Sequence, residues 1–168
     1  MGLLENTWVD IKFRGFCIDY GKTNIKVKDK EYTGCWFSGG YAKLNDTTFL
    51  LKTDYDKYPE NSHHYIVYDR MTDWGLPNKH SLVEVMPETV GMYLNRKDIE
   101  FKEICEDDIL VYTDTKDGAY KPFRVQRGLD GETHNVDMDR KPLIIGNVWE
   151  NPELLKLNKW KRGNTDET

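Results

Sequence analysis

The chain's 168 residues are enough to bury a core without disulfides or a structural metal. Aromatic residues at 12% exclude a disordered chain, and no apolar run approaches the length of a membrane-spanning helix. A formal net charge of −5 argues against attraction to nucleic acid over the whole surface and leaves only a local basic face open.

Residues 8–18 alternate, with Ile11 and Phe13 facing one way and Lys12 and Arg14 the other, which predicts a first strand. Asp19-Tyr20-Gly21-Lys22 ends it as a turn. Ile25 and Val27 then alternate with Lys26 and Lys28 as a short, half-exposed strand. A strand over 32–37 is broken by Ser38-Gly39-Gly40. Residues 47–52 (TTFLLK) read as another strand, and 53–62 as a polar loop around Pro59. Residues 64–69 are strand-like, and 72–79 form a loop holding Gly75 and Pro77. Residues 81–86 alternate until Pro87 stops them, whereas 92–101 read as polar and turn-like. A short apolar strand covers 108–112, and 119–126 suits a sheet edge because Pro122 cannot donate to a central ladder. Gly128 and Gly131 frame a turn. Ile144, Ile145 and Val148 then form a strand running into a short helix, with Asn151 placed to cap it and Pro152 in its first position. The tail from Lys156 is polar, partly basic and predicted to fray. Short strands with regular turns and one helix predict a mainly β (α+β) fold, a barrel or a sandwich. Phe13, Trp36, Val85, Ile109, Ile144, Ile145 and Trp149 are the expected core.

The twelve residues 144–155 (IIGNVWENPELL) closely resemble the C-terminal signature of the YopX family, proteins encoded by bacteriophages and prophages with no established activity. Residues 11–16 (IKFRGF), 31–37 (EYTGCWF), 84–93 (EVMPETVGMY), Lys97-Asp98, Ile104 and 106–110 are similar to other family segments, in order, so the likeness spans nearly the whole chain. The family usually has glycine where Asp107 stands here, and commonly where Asn95 and Phe101 stand. The resemblance implies a small N-terminal α+β part followed by an SH3-like β-barrel with a short C-terminal helix. On this chain these are residues 1–86 and 87–157, with 158–168 as a flexible tail. It also implies a phage or prophage protein in the cytoplasm of a bacterial host. The opening residues agree with a cytoplasmic protein without a membrane partner. They carry no secretory leader, and Asn6 breaks the myristoylation pattern that Gly2 would begin.

For chemistry, Cys35 with a partner among His63, His64, His80 and His134 is weighed against a strand cysteine packed among aromatics, and the packing reading is preferred. Cys17, Cys35 and Cys105 lack metal-ligand spacing, so reduced thiols are expected. His63 and His64 are adjacent in a strand and point to opposite faces, which disfavours a shared ion with His80. Glu106, Asp107 and Asp108, and again Glu132, Asp137 and Asp139, read as turn formers whose carboxylates accept backbone N–H groups. The run from Asp114 to Gly118 only superficially resembles a calcium loop, since Val125 stands where its closing glutamate belongs. No catalytic residue, cofactor or metal is therefore assigned. Arg14, Lys26, Lys28 and Lys30 gather near the first hairpin. Lys121, Arg124 and Arg127, together with Lys159, Trp160, Lys161 and Arg162, are the candidate nucleic-acid-binding residues. The function expected first is a non-enzymatic binding or assembly module that self-associates through aromatics and edge strands, with an unknown protein partner also open; a nucleic-acid-binding accessory protein is the alternative.

Overall fold

The computed structural model describes residues 11–114, 120–126, 135–158 and 160. Its strands are β1 (Phe13–Cys17), β2 (Thr23–Val27), β3 (Lys30–Asn45), β4 (Ser62–Arg70), β5 (Lys79–Glu84), β6 (Gly91–Lys97), β7 (Glu103–Cys105), β8 (Asp108–Tyr112), β9 (Phe123–Arg124) and β10 (Pro142–Asn147), and its helix α1 is Lys52–Lys57. Seven strands make one antiparallel sheet in the order β5-β4-β3-β1-β6-β7, with β2 also on β3; a second sheet has the order β10-β8-β9. The fold is thus mainly β, as expected, but its sheets are open. Among the described residues no closed barrel is seen over 87–157, because β6 takes β1 as its partner through Phe13↔Met92 and Arg14↔Gly91 and extends the larger sheet instead.

Three elements differ from the sequence expectation for local reasons. The glycine pair does not break β3. At Gly39 a side chain would run into the Val67 carbonyl, so the glycine lets β4 approach closely and the strand continues. Residues 47–52 are not a strand. Asn61 occupies the backbone of Thr47 on both sides, accepting from its N–H (2.7 Å) and donating to its O (2.9 Å), which ends the ladder at Asn45. Residues 91–97 are a strand rather than a turn, and the turn is confined to 98–102. There the buried Asp98 carboxylate accepts from Glu100 N (2.8 Å), Lys102 N (2.9 Å) and, across to β10, Ile144 N (3.1 Å).

Asn95, Phe101 and Asp107 all have left-handed backbone, with φ of 53°, 63° and 68°. These are the three positions where the resemblance places glycine, the residue that adopts this geometry without steric cost. At the C-terminal end, Pro152–Lys156 is a 3₁₀ turn, and Asn151 makes no side-chain cap. Asn147 holds the turn that precedes it, its carbonyl oxygen accepting from Trp149 N (3.0 Å) and Glu150 N (2.9 Å). Val85 and Ile109 are buried as expected, while Phe13, Trp36, Ile144 and Trp149 are half-buried and pack against the core. Strand β1 is covered on both faces: Phe16 packs with Ile25, Val27, Trp36 and Trp149, and Cys17 with Ile66 and Val85. Among the described residues no helix is long and apolar enough to cross a membrane.

Candidate functional site

The carboxylates of the turn between β7 and β8 all hold the fold together. Asp108 pairs with Arg14 of β1 at 2.5 Å and accepts from Cys105 N at 2.8 Å. Glu106 accepts from Met92 N at 2.7 Å, and its carbonyl takes Arg14 Nη2 at 2.9 Å. Asp107 holds Arg124 of β9, with Nη2 at 2.6 Å. Burial pushes the Asp108 carboxyl up, against the pull of Arg14. Burial also opposes the charge on Arg14, but the Asp108 carboxylate outweighs it and the guanidinium is held above its ordinary value. The Cys105 thiol beside them is pushed up to about 12 by burial. Asp108 therefore serves the turn, as its sequence suggests, while Glu106 ties it to β6 and Asp107 to β9. Arg14, expected to face outward with the basic cluster, instead lies inside, under the Trp36 ring at 5.1 Å.

Of the candidate nucleic-acid residues, Lys121, Arg124 and Trp160 are among the described residues. Lys121 is exposed, but the charge of Arg124 is neutralised by Asp107. Trp160, expected in a frayed tail, bridges to Tyr120. Tyr120 N–H donates to Trp160 O at 3.0 Å, Trp160 N–H donates back at 2.6 Å, and the rings lie 6.0 Å apart. Arg127, Lys159, Lys161 and Arg162 lie outside the described residues, as do Glu132 and His134.

Cys35 stands opposite Cys17 in the β1–β3 ladder, and burial raises its thiol, the reverse of nucleophile activation. His63 and His64 point to opposite faces of β4. His63 hydrogen-bonds Glu84 (2.7 Å) and Asp46 (3.1 Å), and His64 hydrogen-bonds the Tyr41 hydroxyl (2.7 Å). Among the described residues no group of three or more His, Cys, Asp or Glu side chains is arranged to hold a metal ion.

What the fold does present is an edge beside a sheet face that mixes apolar and charged side chains. Strand β5 ends the larger sheet, and among the described residues no strand pairs with its outer side. Val85 N–H donates to His64 O at 2.8 Å, so odd-numbered residues bond β4. His80, Leu82 and Glu84 consequently turn their backbone N–H and C=O groups to the free edge. Their side chains share a face with Asp69, Val67 and Tyr65 of β4, which in turn lie opposite Gly40 and Ala42 of β3. Leu82 at the centre of this face is 55% exposed. The β4–β5 hairpin then projects Met71, Leu76 and Trp74, the last 92% exposed. At the other end of β5, Glu84, Val85 and Met86 line a cavity of about 310 Å³ with Ile18 and Asp19. A neighbouring cavity of about 420 Å³ adds Tyr20, Phe37 and Tyr68. Alternation in 81–86 marked the strand, but nothing local in the sequence says that one side of it stays unpaired.

Compared with known proteins, the chain matches no family model, no curated protein and no solved structure.

Proposed function

We propose that the protein is a non-enzymatic binding or assembly module of the YopX-like phage and prophage kind, working as a homo-oligomer in the cytoplasm. The observation that carries the assembly reading is the β5 edge, unpaired among the described residues, lying beside a face that includes Leu82, Val67, Tyr65 and Ala42. Exposed edges template strand addition, and apolar side chains beside one add buried area to such a contact. For the family reading, the support is the sequence likeness together with the left-handed backbone at Asn95, Phe101 and Asp107. Light scattering after size-exclusion chromatography over a hundredfold range of concentration tests the assembly reading. A mass above that of one chain is expected, and a monomer throughout would overturn it.

A second reading is nucleic-acid binding, favoured by exposed Lys121 next to the Tyr120–Trp160 ring pair. Fluorescence anisotropy with single- and double-stranded DNA and RNA tests it. Saturable binding that weakens steeply with salt supports this reading, and no binding at low salt removes it.

A further inference from the structure

We infer that the assembling partner is a second copy of this chain, docked through antiparallel pairing of the two β5 edges with Leu82 on the two-fold axis; this rests on the assembly reading above. Only residues whose backbone groups face outward can form the hydrogen-bonded pairs of the new ladder, which restricts the register to even residue against even residue. Placing Leu82 opposite Leu82 of the second copy sets His80 against Glu84 of that copy, twice by symmetry.

This register is complementary in charge. His80 hydrogen-bonds Asp69 within its own chain at 2.6 Å, and Glu84 hydrogen-bonds His63 at 2.7 Å. All four side chains lie on the same sheet face. Pairing therefore builds an alternating row of acid and base across the contact: Asp69, His80, then Glu84 and His63 of the second copy. Registers shifted by two residues lose it, setting Leu82 opposite His80 or opposite Glu84. Opposite charges placed directly across strands stabilise pairing, and like charges oppose it.

Shape agrees with charge. The two ends of β5 differ: one leads from the hairpin tip that exposes Trp74 and Leu76, and the other lines the cavity of Ile18, Val85 and Met86. Antiparallel pairing brings the tip end of each copy beside the cavity end of the other. The exposed tryptophan of each copy thereby comes beside the recess that Ile18, Asp19, Glu84, Val85 and Met86 form in the other. A closed two-fold arrangement of this kind is the commonest symmetry among soluble oligomers.

The test compares the full chain with Leu82→Lys, Trp74→Ala and Leu82→Cys by light scattering, with circular dichroism to verify that each variant folds. Lysine at 82 puts two like charges on the axis, and the expected result is a shift to half the wild-type mass or to monomer. Trp74→Ala is expected to weaken association by roughly tenfold or more, as loss of an aromatic anchor does. Leu82→Cys, in a Cys35→Ser background, should give a covalent dimer under mild oxidation, whereas His80→Cys in that background should not. Wild-type multimer unchanged by Leu82→Lys and not cross-linked through position 82 would overturn this interface while leaving the assembly reading intact. A wild-type monomer at every concentration would overturn both.

Discussion

Arg14 is held where a lone charge would be expensive. Its side chain is 12% exposed and its partner's, on Asp108, is 4% exposed, so each depends on the other for what water would have supplied. Such a pair contributes little against an apolar substitute, but removing one member strands the other. Arg14→Met should therefore destabilise the fold by about 3–5 kcal/mol in denaturant unfolding. Arg14→Met combined with Asp108→Asn should recover part of that loss, because Asn keeps an acceptor for Cys105 N without a buried charge. A single variant within ~0.5 kcal/mol of wild type would show that the pair is solvated. His63 gives the opposite kind of case, a half-buried group whose effect is read in pH. Its hydrogen bonds to Glu84 and Asp46 raise its pKa above the ordinary 6.5. A base raised on folding adds stability that is full below its unfolded value and is lost as pH rises through the folded one. Stability should thus fall as pH climbs above 6.5, and His63→Gln should flatten the fall. An unchanged slope in that variant would assign it to another group.

Backbone geometry governs what happens at the scale of elements. Phe101 is 82% exposed, sits at φ 63° and closes the turn after β6 by donating to Asp98 O at 3.0 Å. A left-handed residue with a side chain costs about 1–2 kcal/mol, and Phe101 recovers little of this by burial. Phe101→Gly should stabilise by about 0.5–1 kcal/mol after the added flexibility of the unfolded chain is counted. A loss of stability would mean that the exposed ring packs on something in solution. The same geometry separates what could be read in the sequence from what could not. Strand β8 was legible because four consecutive apolar residues lie between a charged turn and Thr113, and β1 because its apolar residues alternate. Strand β6 was hidden, since Asn95, Arg96 and Lys97 are polar and their side chains are exposed; its start pairs with β1, some 80 residues earlier, and its end with the short β7. Residues 47–52 misled for the converse reason. Their composition suits a strand, but Asn61 takes the hydrogen bonds that a ladder would need. The inward turn of Arg14 had no local signal at all, because Asp108 lies 94 residues away.

At the scale of the molecule, the division expected near residue 86 cuts through shared structure. Trp36 and Trp149 come from opposite sides of it and pack against the same Phe16, Ile25 and Val27. The β1 backbone depends on residues at and beyond the boundary: Phe16 N–H donates to Thr89 Oγ1 at 2.9 Å, and Phe16 O accepts from Met86 N at 2.9 Å. A chain ending at residue 86 would leave that buried N–H without its acceptor, at about 1–3 kcal/mol. It would also strand Arg14 without Asp108, at about 3–5 kcal/mol. Together these approach the whole stability of an ordinary domain, about 5–15 kcal/mol, before the lost half of the Trp149 cluster is counted. Residues 1–86 alone should therefore show no cooperative unfolding, and the full chain should unfold in one transition. Far-ultraviolet circular dichroism follows both sheets, and tryptophan fluorescence follows a core cluster shared across the boundary. Coincident denaturant midpoints are the expected result. Two separated midpoints, or a fragment 1–86 that melts cooperatively, would show that the β1–β6 pairing and the Arg14–Asp108 contact do not bind the two parts into one unit.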